Sequence, residues 1–302
     1  MITVSTPRLS AYLLDPREDL AFTGSRYCVG GYIWQVCGAG GQPLLAGPRY
    51  PSPAPPVFDG QGAPEAFETP LGGADGPVGG DVCVTGVGIV EKSSAVEPFH
   101  PRNNPRVKAP CPWEVERWGD RAVMSTSQGF GERSITLRRE VRAVDNRVES
   151  VNTIKNTGAA AVSLRWFAHP FFPLNGKLTD ENENLTIVKV KYSNILTCGK
   201  TVPPVTLPES AGYEIDTDGM IRMKPGYPWE KGLFQELGVP SPPQKLAFEI
   251  PHPVVGSVRV QTDYEVIRCA LWANANTFSF EPFVSRVVNP GEEFLWSVSY
   301  DF

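Results

Sequence analysis

Residues 148–174 read VESVNTIKNTGAAAVSLRWFAHPFFPL and hold the clearest strand pattern of the sequence. Their second half alternates two sets of side chains, Val162, Leu164, Trp166 and Ala168 against Ser163, Arg165, Phe167 and His169. Because successive side chains of a strand point to opposite faces, this period of two predicts a strand with one face on a core. The stretch indicates a fold built on β-strands.

The same period occurs on both sides of this stretch. Upstream, residues 134–141 place Ile135, Leu137 and Val141 on one face. At the C-terminus, an apolar set alternates with a mostly polar one: Phe294, Trp296, Val298, Tyr300 and Phe302 against Glu293, Leu295, Ser297, Ser299 and Asp301. Weaker strand patterns lie at 185–192, 245–250, 257–262, 266–272 and 277–283. Helical periodicity is almost absent, and only residues 229–237 predict a short helix, which ends near Gly238.

Glycine and proline punctuate the chain throughout. The 302 residues include 29 Gly and 30 Pro, well above the roughly 12% of average proteins, so a helical bundle is excluded. They are densest at 40–80, which we interpret as a loop excursion from a single domain spanning residues 1–302; a linker between two domains is the alternative. The sequence therefore predicts an all-β sandwich of antiparallel sheets with few short helices.

The charge pattern argues against several classes of partner. The net charge is −5, and lysine and arginine are scattered along the chain, which does not fit a nucleic-acid-binding protein. No stretch of about 18 apolar residues predicts a membrane span. Residues 1–8 lack the pattern of a secretory signal, so we expect a cytoplasmic protein.

Cysteine spacing and glycine motifs give no sign of a cofactor. The six cysteines, at 28, 37, 83, 111, 198 and 269, form no C-x-x-C pair, which predicts reduced thiols and no zinc site. The glycine clusters at 30–31 and 38–41 lack the spacing of a dinucleotide-binding loop and predict turns. We expect neither a metal nor a nucleotide cofactor.

Two titratable residues stand at strand positions where they could act as acid and base. His169 ends a strand among aromatic residues, and a histidine can transfer protons near neutral pH. Glu281 shares a strand face with Thr277 and Ser279, and burial between aromatic residues would raise its pKa toward that of a general base. The alternatives are a histidine bonded to a backbone carbonyl and a solvated glutamate.

Three segments resemble parts of the aldose 1-epimerase, or galactose mutarotase-like, family. In residues 148–174, a strand rich in Val and Asn leads through N-T-G into a strand that ends in His-Pro-Phe-Phe. In residues 275–302, a strand containing Glu281 is followed by a Pro-Gly-Glu turn and a final strand ending in Tyr-Asp-Phe. Residues 112–120 are similar to the family's Trp-containing strand. The resemblance covers about residues 80–302 and suggests a divergent member.

This resemblance implies a β-supersandwich with an open cleft for a small-molecule sugar. In such enzymes a glutamate removes the proton of the anomeric hydroxyl while a histidine protonates the ring oxygen. The ring opens and closes again on the other face of the carbonyl carbon. By position, Glu281 would be the base and His169 the acid.

Further residues are candidates for binding the sugar. Where the family has a His-Gly pair with a nearby arginine, this chain has residues 86–92, so Lys92 would supply the basic group, and His100 follows. Arg165 lies on the strand face of His169 and would bond sugar hydroxyls, or form a salt bridge to a neighbouring strand. Trp113 and Phe171 are candidate aromatic platforms, although large aromatic residues more often fill a core.

Three functions remain open from the sequence. The first is an aldose 1-epimerase-like isomerase that interconverts the α and β anomers of an aldose or related sugar. The second is a non-catalytic carbohydrate-binding protein on the same scaffold. The third is a sugar lyase or an epimerase of different specificity. The state of assembly is also open, and a homodimer is compatible with the sequence.

Overall fold

The computed structural model describes residues 1–49, 60–176, 185–189, 212–215, 220–237 and 242–302. The described strands are β1 (Ile2–Ser5), β2 (Leu9–Leu13), β3 (Ile33–Gly38), β4 (Glu65–Phe67), β5 (Asp81–Val84), β6 (Gly88–Glu91), β7 (Val107–Pro110), β8 (Glu114–Arg117), β9 (Arg121–Phe130), β10 (Arg133–Val144), β11 (Arg147–Asn156), β12 (Val162–Ala168), β13 (Phe172–Pro173), β14 (Leu185–Lys189), β15 (Tyr213–Ile215), β16 (Met220–Met223), β17 (Leu233–Leu237), β18 (Ala247–His252), β19 (Gly256–Thr262), β20 (Arg268–Ala273), β21 (Thr277–Val288) and β22 (Glu293–Asp301). Short 3₁₀ turns occur at Leu20–Phe22, Pro101–Asn103 and Trp229–Lys231.

Two large antiparallel sheets form the body of the protein. One has ten strands in the order β15-β16-β14-β18-β19-β22-β11-β10-β9-β8. The other has the order β17-β20-β21-β12-β4, with β13 pairing to β21. Two three-stranded sheets, β1-β2-β3 and β5-β6-β7, complete the architecture. The predicted all-β class is confirmed.

The strongest sequence patterns form the centre of the ten-stranded sheet. Strand β10 pairs with β9 and β11, and β11 pairs with β22. On β10 the predicted face of Ile135, Leu137 and Val141 is buried, and Arg139 is buried on the same face. The C-terminal pattern forms β22, in which Trp296, Val298 and Tyr300 lie in the core. A sheet that covers a core with one face accounts for this period of two.

The six-stranded sheet packs on this core through the predicted face of β12. Val162, Leu164 and Trp166 are buried, and the Trp166 ring meets the Trp296 ring at 5.7 Å between centroids. The Phe280 ring of β21 likewise contacts the Phe248 ring of β18, at 4.5 Å between centroids. The opposite face of this sheet is exposed at Arg165 but closed at the end of β12, where His169 is buried. The candidate site lies at that closed end.

The short helix predicted for residues 229–237 is wrong. The chain makes one 3₁₀ turn at Trp229–Lys231 and then continues as strand β17, which pairs with β20. Gly232 has φ 71°, a conformation that interrupts a helix and that glycine adopts without strain. Pairing with β20 then outweighs the local preference of the sequence.

The described part of segment 40–80 is tied into the main sheets. It contains β4, which pairs with β12, and Ala63 forms a bridge with Ile33. Leu71 and Glu65 are buried. Residues 50–59 lie outside the described residues, and the single-domain organisation stays a prediction. The loop excursion over 40–80 likewise stays a prediction, and the glycine and proline content gave no sign of β4.

Five cysteines in the described residues are unpaired thiols: Cys28, Cys37, Cys83, Cys111 and Cys269. Cys198 lies outside the described residues. Within the described ranges, no helix has the length and apolarity needed to cross a membrane.

Candidate active site

His169 and Glu281 come into contact because their strands are paired. In the β12–β21 ladder, Phe167 lies opposite Phe283. Two residues further along the same antiparallel register, His169 and Glu281 face each other. Their Nε2 and Oε1 atoms are 3.3 Å apart, and each side chain is 3% exposed. The two residues singled out from the sequence therefore form one buried pair.

Hydrogen bonds to the backbone and to a neighbouring strand fix the histidine. Its backbone N–H donates to the Pro64 carbonyl at 2.8 Å, and its Nδ1 lies 2.9 Å from the Ser279 Oγ on β21. The next contact along the chain joins the Phe171 N–H to the Gly62 carbonyl at 2.7 Å. Gly62 has φ 74°, and a Cβ there would lie 2.3 Å from the Ile33 carbonyl oxygen. Segment 60–65 thus holds the histidine in place, and its path requires glycine at position 62.

Aromatic rings enclose the pair. Phe171 stacks on the His169 ring at 4.5 Å between centroids, and Tyr27 meets it edge-on at 6.0 Å. Trp272 of β20 and Phe167 lie at 6.3 Å and 5.8 Å. Phe171, Tyr27 and Phe167 are buried and exclude water from the pair, whereas Trp272 is partly exposed.

Burial shifts both pKa values in the direction that disfavours charge. It raises the pKa of Glu281 to about 8, an effect that the charges of Arg26 and Arg268 oppose. Burial, with a contribution from Arg26 and Arg102, lowers the pKa of His169 well below its usual range. At neutral pH these two shifts favour a pair that carries one proton in total, held by the Glu281 carboxyl group.

A chain of ion pairs borders the glutamate. Arg268 stacks over the Phe283 ring at 4.3 Å and pairs with Glu236 at 3.1 Å and Glu68 at 3.7 Å. Glu68 also pairs with the predicted binding residue Arg165 at 3.5 Å. The structure therefore shows the salt bridge that was the alternative for Arg165. Of the two predicted aromatic platforms, Phe171 is the one that contacts the histidine.

The other three predicted binding residues lie in different surroundings. Lys92 is buried near the β5–β7 sheet, where its ammonium group pairs with Glu97 and donates to the Ala74 carbonyl. Trp113 packs in the core against Gly30, where a Cβ would lie 2.2 Å from the indole ring. His100 caps the 3₁₀ turn at Pro101–Asn103, with its Nδ1 accepting the Arg102 N–H at 3.1 Å.

Comparisons with solved structures agree with this architecture. A candidate aldose 1-epimerase of Escherichia coli K12 superposes with a TM-score of 0.59 at 14% identity, over 99% of this chain and 97% of that one. A galactose mutarotase-like protein of Lactobacillus casei gives 0.58 at 12% identity, over 100% and 99%. The chain has the galactose mutarotase-like fold. No protein-family model and no curated protein sequence matches it.

A third protein of this fold, a galactose mutarotase related enzyme of Lactobacillus acidophilus, gives a TM-score of 0.54 at 14% identity, covering 99% of this chain and 96% of that one. At such identities the comparison establishes the fold of the chain, whereas the chemistry of a protein depends on the residues of its site. The predicted β-supersandwich is confirmed.

Several residues of the site carried no signal in the sequence. Tyr27, Arg26 and Arg102 lie in loops without strand periodicity, and Trp272 belongs to a strand recognised only as a weak pattern. Among the described residues, no group of three or more His, Cys, Asp and Glu side chains could hold a metal ion. The histidine and the glutamate are both side chains that can transfer protons.

Proposed function

We propose that the protein interconverts the α and β anomers of an aldose or related sugar, with Glu281 as general base and His169 as general acid. The observation that carries this proposal is the buried Oε1–Nε2 contact of 3.3 Å, and the directions of the two pKa shifts favour one proton on the pair at neutral pH. A hemiacetal needs one proton removed and one delivered at two oxygens of the same carbon. A contact pair with one proton meets that need.

The reaction starts when the shared proton lies on His169, leaving Glu281 as a carboxylate. Glu281 accepts the proton of the anomeric hydroxyl O1, the C1=O1 double bond forms, and the C1–O5 bond breaks. His169 donates its proton to O5 as the bond electrons move to that oxygen. The open-chain aldehyde rotates about C1–C2.

Ring closure is the reverse of this sequence on the other face of the carbonyl carbon. O5 attacks C1 and returns its proton to His169, while O1 takes the proton from Glu281. The enzyme ends in the protonation state in which it began, so no proton is drawn from solution. The Ser279 contact to Nδ1 keeps Nε2 directed at Glu281 throughout.

Exchange NMR and polarimetry on a panel of aldoses test this proposal, with the spontaneous rate subtracted. We expect acceleration with at least one sugar, and a fall of about 10²–10⁴-fold for Glu281→Gln and for His169→Asn. Glu116→Gln, on the exposed side of β8, is the matched control and should keep the wild-type rate. Circular dichroism verifies that all variants are folded.

The alternative functions give different results. Acceleration that survives both substitutions contradicts the assignment of the site, and no acceleration with any sugar contradicts the isomerase. Sugar binding without turnover would support the carbohydrate-binding protein. A new ultraviolet absorbance from an unsaturated sugar would support the lyase.

A further inference from the structure

The rings around His169 differ in their exposure to solvent. In the part of the chain that the structure describes, Phe171, Tyr27 and Phe167 are buried. Trp272 of β20 is partly exposed, and its ring centroid lies 6.3 Å from that of His169. Of these four rings, Trp272 is therefore the one past which a ligand can approach the acid–base pair.

The next strand outward continues this exposed side. Strand β17 is at the edge of the six-stranded sheet, and its Phe234 lies directly opposite Trp272 in the β17–β20 ladder. Side chains that face each other in a ladder stand on the same face of the sheet, so Phe234 shares the face of His169. It is 49% exposed. Trp272 and Phe234 form an aromatic strip that leads from the pair to the edge of the sheet.

A polar border runs beside the aromatic strip. Glu281 on β21 and Glu236 on β17 both lie opposite Ala270 of β20, so Glu236 stands in the row of the catalytic glutamate, nearer the edge. Its side chain is 60% exposed and pairs with Arg268 at 3.1 Å. A carboxylate has about four acceptor positions, so Glu236 can bond to a ligand while it remains paired.

Exposed rings beside hydrogen-bonding groups match the chemistry of a sugar. One face of a pyranose ring presents C–H groups, which pack on an aromatic ring, and its hydroxyl groups bond to charged side chains. Neighbouring strands lie about 4.8 Å apart, which is close to the length that one residue adds to a linear oligosaccharide. A stable protein partner would need about 1,000 Å² of buried surface, far more than two side chains provide.

We propose that the substrate is the reducing end of a linear oligosaccharide, whose first ring lies at Trp272 beside the acid–base pair and whose second ring packs on Phe234. This inference rests on the proposed function and specifies its substrate class. The first ring alone reacts, because the reducing end carries the hemiacetal. The second ring contributes to binding and takes no part in the transfer of protons.

The test compares sugars that share the same reacting ring. Anomer exchange is measured for D-glucose, for maltose and cellobiose, which add a second glucose through an α or a β linkage, and for maltotriose and cellotriose. We expect kcat/KM for at least one disaccharide to exceed that for D-glucose about five- to tenfold, the value of one aromatic contact. The third ring should add little, because β17 is the last strand of the sheet.

Variants at position 234 separate packing on the ring from folding. Phe234→Leu keeps an apolar side chain on the edge strand but removes the ring, so it should abolish most of the preference for the disaccharide over D-glucose. Phe234→Tyr keeps the ring and should retain the preference. Trp118→Ala, which removes a 43% exposed ring between β8 and β9, is the matched control and should leave the preference unchanged.

A second position keeps the test independent of folding at the edge strand. Circular dichroism verifies that each variant is folded. If Phe234→Leu does not fold, Glu236→Gln provides the comparison. It weakens the polar border and should lower the ratio of disaccharide to D-glucose kcat/KM about fivefold.

The outcomes distinguish this inference from the function on which it rests. Equal kcat/KM for D-glucose and every oligosaccharide overturns the inference and leaves the isomerase intact. A preference that survives in Phe234→Leu contradicts the position of the second ring. If Phe234 instead contacts a second copy of the chain, Phe234→Leu changes the size measured by gel filtration and not the preference, which also overturns the inference.

Failure of the proposed function leaves one point to decide. If no sugar is turned over, calorimetric titrations with maltotriose and cellotriose measure binding alone. Binding that weakens in Phe234→Leu and persists in Phe234→Tyr would support a sugar site on the aromatic strip. Absence of binding would overturn it.

Discussion

Two buried carboxylates lie on opposite faces of the six-stranded sheet, and their partners differ. Glu65 on β4 points into the core between the large sheets and pairs with Arg139 of β10 at 2.6 Å, with exposures of 1% and 0%. Glu281 on β21 lies on the other face and pairs with His169. Burial raises the pKa of both carboxyl groups, and Arg139 opposes that rise at Glu65.

The difference shows why burial alone does not make a catalytic group. Arg139 has a permanent charge, so it stabilises the Glu65 carboxylate but offers no proton. His169 can both accept and donate a proton. The first pair therefore links two sheets, whereas the second can exchange a proton with a substrate. Glu65 lies opposite Ala168 in the β4–β12 ladder, so the linking pair also supports the strand end that presents His169.

The largest expected effect on stability comes from breaking the inter-sheet pair. Glu65→Gln leaves the Arg139 charge buried without its counterion, which should lower the free energy of unfolding by about 3–5 kcal/mol. Denaturant unfolding measures this loss. Asp301→Asn, which removes the half-buried partner of the exposed Arg147, is the control and should cost no more than about 1 kcal/mol. Equal losses in the two variants would contradict the contrast drawn between the pairs.

At Glu281 the same substitution, Glu281→Gln, is expected to raise the free energy of unfolding rather than lower it. Its folded-state pKa of about 8 lies above the usual 4.5, so the folded protein holds the proton more tightly and loses stability as the pH rises between these values. Glu281→Gln cannot ionise. It should therefore gain stability relative to the wild type as the pH rises, with little gain at pH 5 and the largest gain at pH 9.

Thermal unfolding at pH 5, 7 and 9 measures this gain. Glu116→Gln, on the exposed side of β8, provides the baseline at each pH. A gain in stability for Glu281→Gln that does not grow with pH would show that burial does not raise the pKa of the Glu281 carboxyl group.

The smallest effect is expected at the serine that orients the histidine. Ser279→Ala removes the 2.9 Å contact to Nδ1 and should lower the rate of anomer exchange about five- to tenfold, the value of one neutral hydrogen bond. Ser285→Ala, at an exposed position of the same strand, should have no effect. A rate unchanged in Ser279→Ala would mean that packing against Phe171 is sufficient to orient the ring.

The sequence predicted the parts of the fold in which each strand covers a core with one face. Strands β10, β12 and β22 do so, and their period of two is visible without a structure. The sequence predicts a helix where β17 lies because residues 229–237 contain good helix formers and the partner strand, β20, is distant in sequence. Strand β4 has three residues, too few for a pattern.

The candidate site was predictable to the same extent. Polar faces of two strands, together with the family resemblance, singled out His169 and Glu281, but only the antiparallel register places them opposite each other. Their depth of burial also came from the structure, because the rings that cover them are contributed by separate segments. Arg26 and Arg102 stand in two loops that the Ser25–Pro101 hydrogen bond joins. No local pattern in the sequence encodes a contact between such distant segments.

The dependence of kcat/KM on pH tests most directly whether the pair shares one proton. Anomer exchange should be fastest while one proton is held and should fall as the pH rises through about 8, where the pair loses that proton and His169 has none to donate. On the acidic side the rate should persist well below pH 6.5, because burial and the charges of Arg26 and Arg102 lower the pKa of His169. A rate that increases through pH 8, as expected for a carboxylate acting alone, would contradict the account.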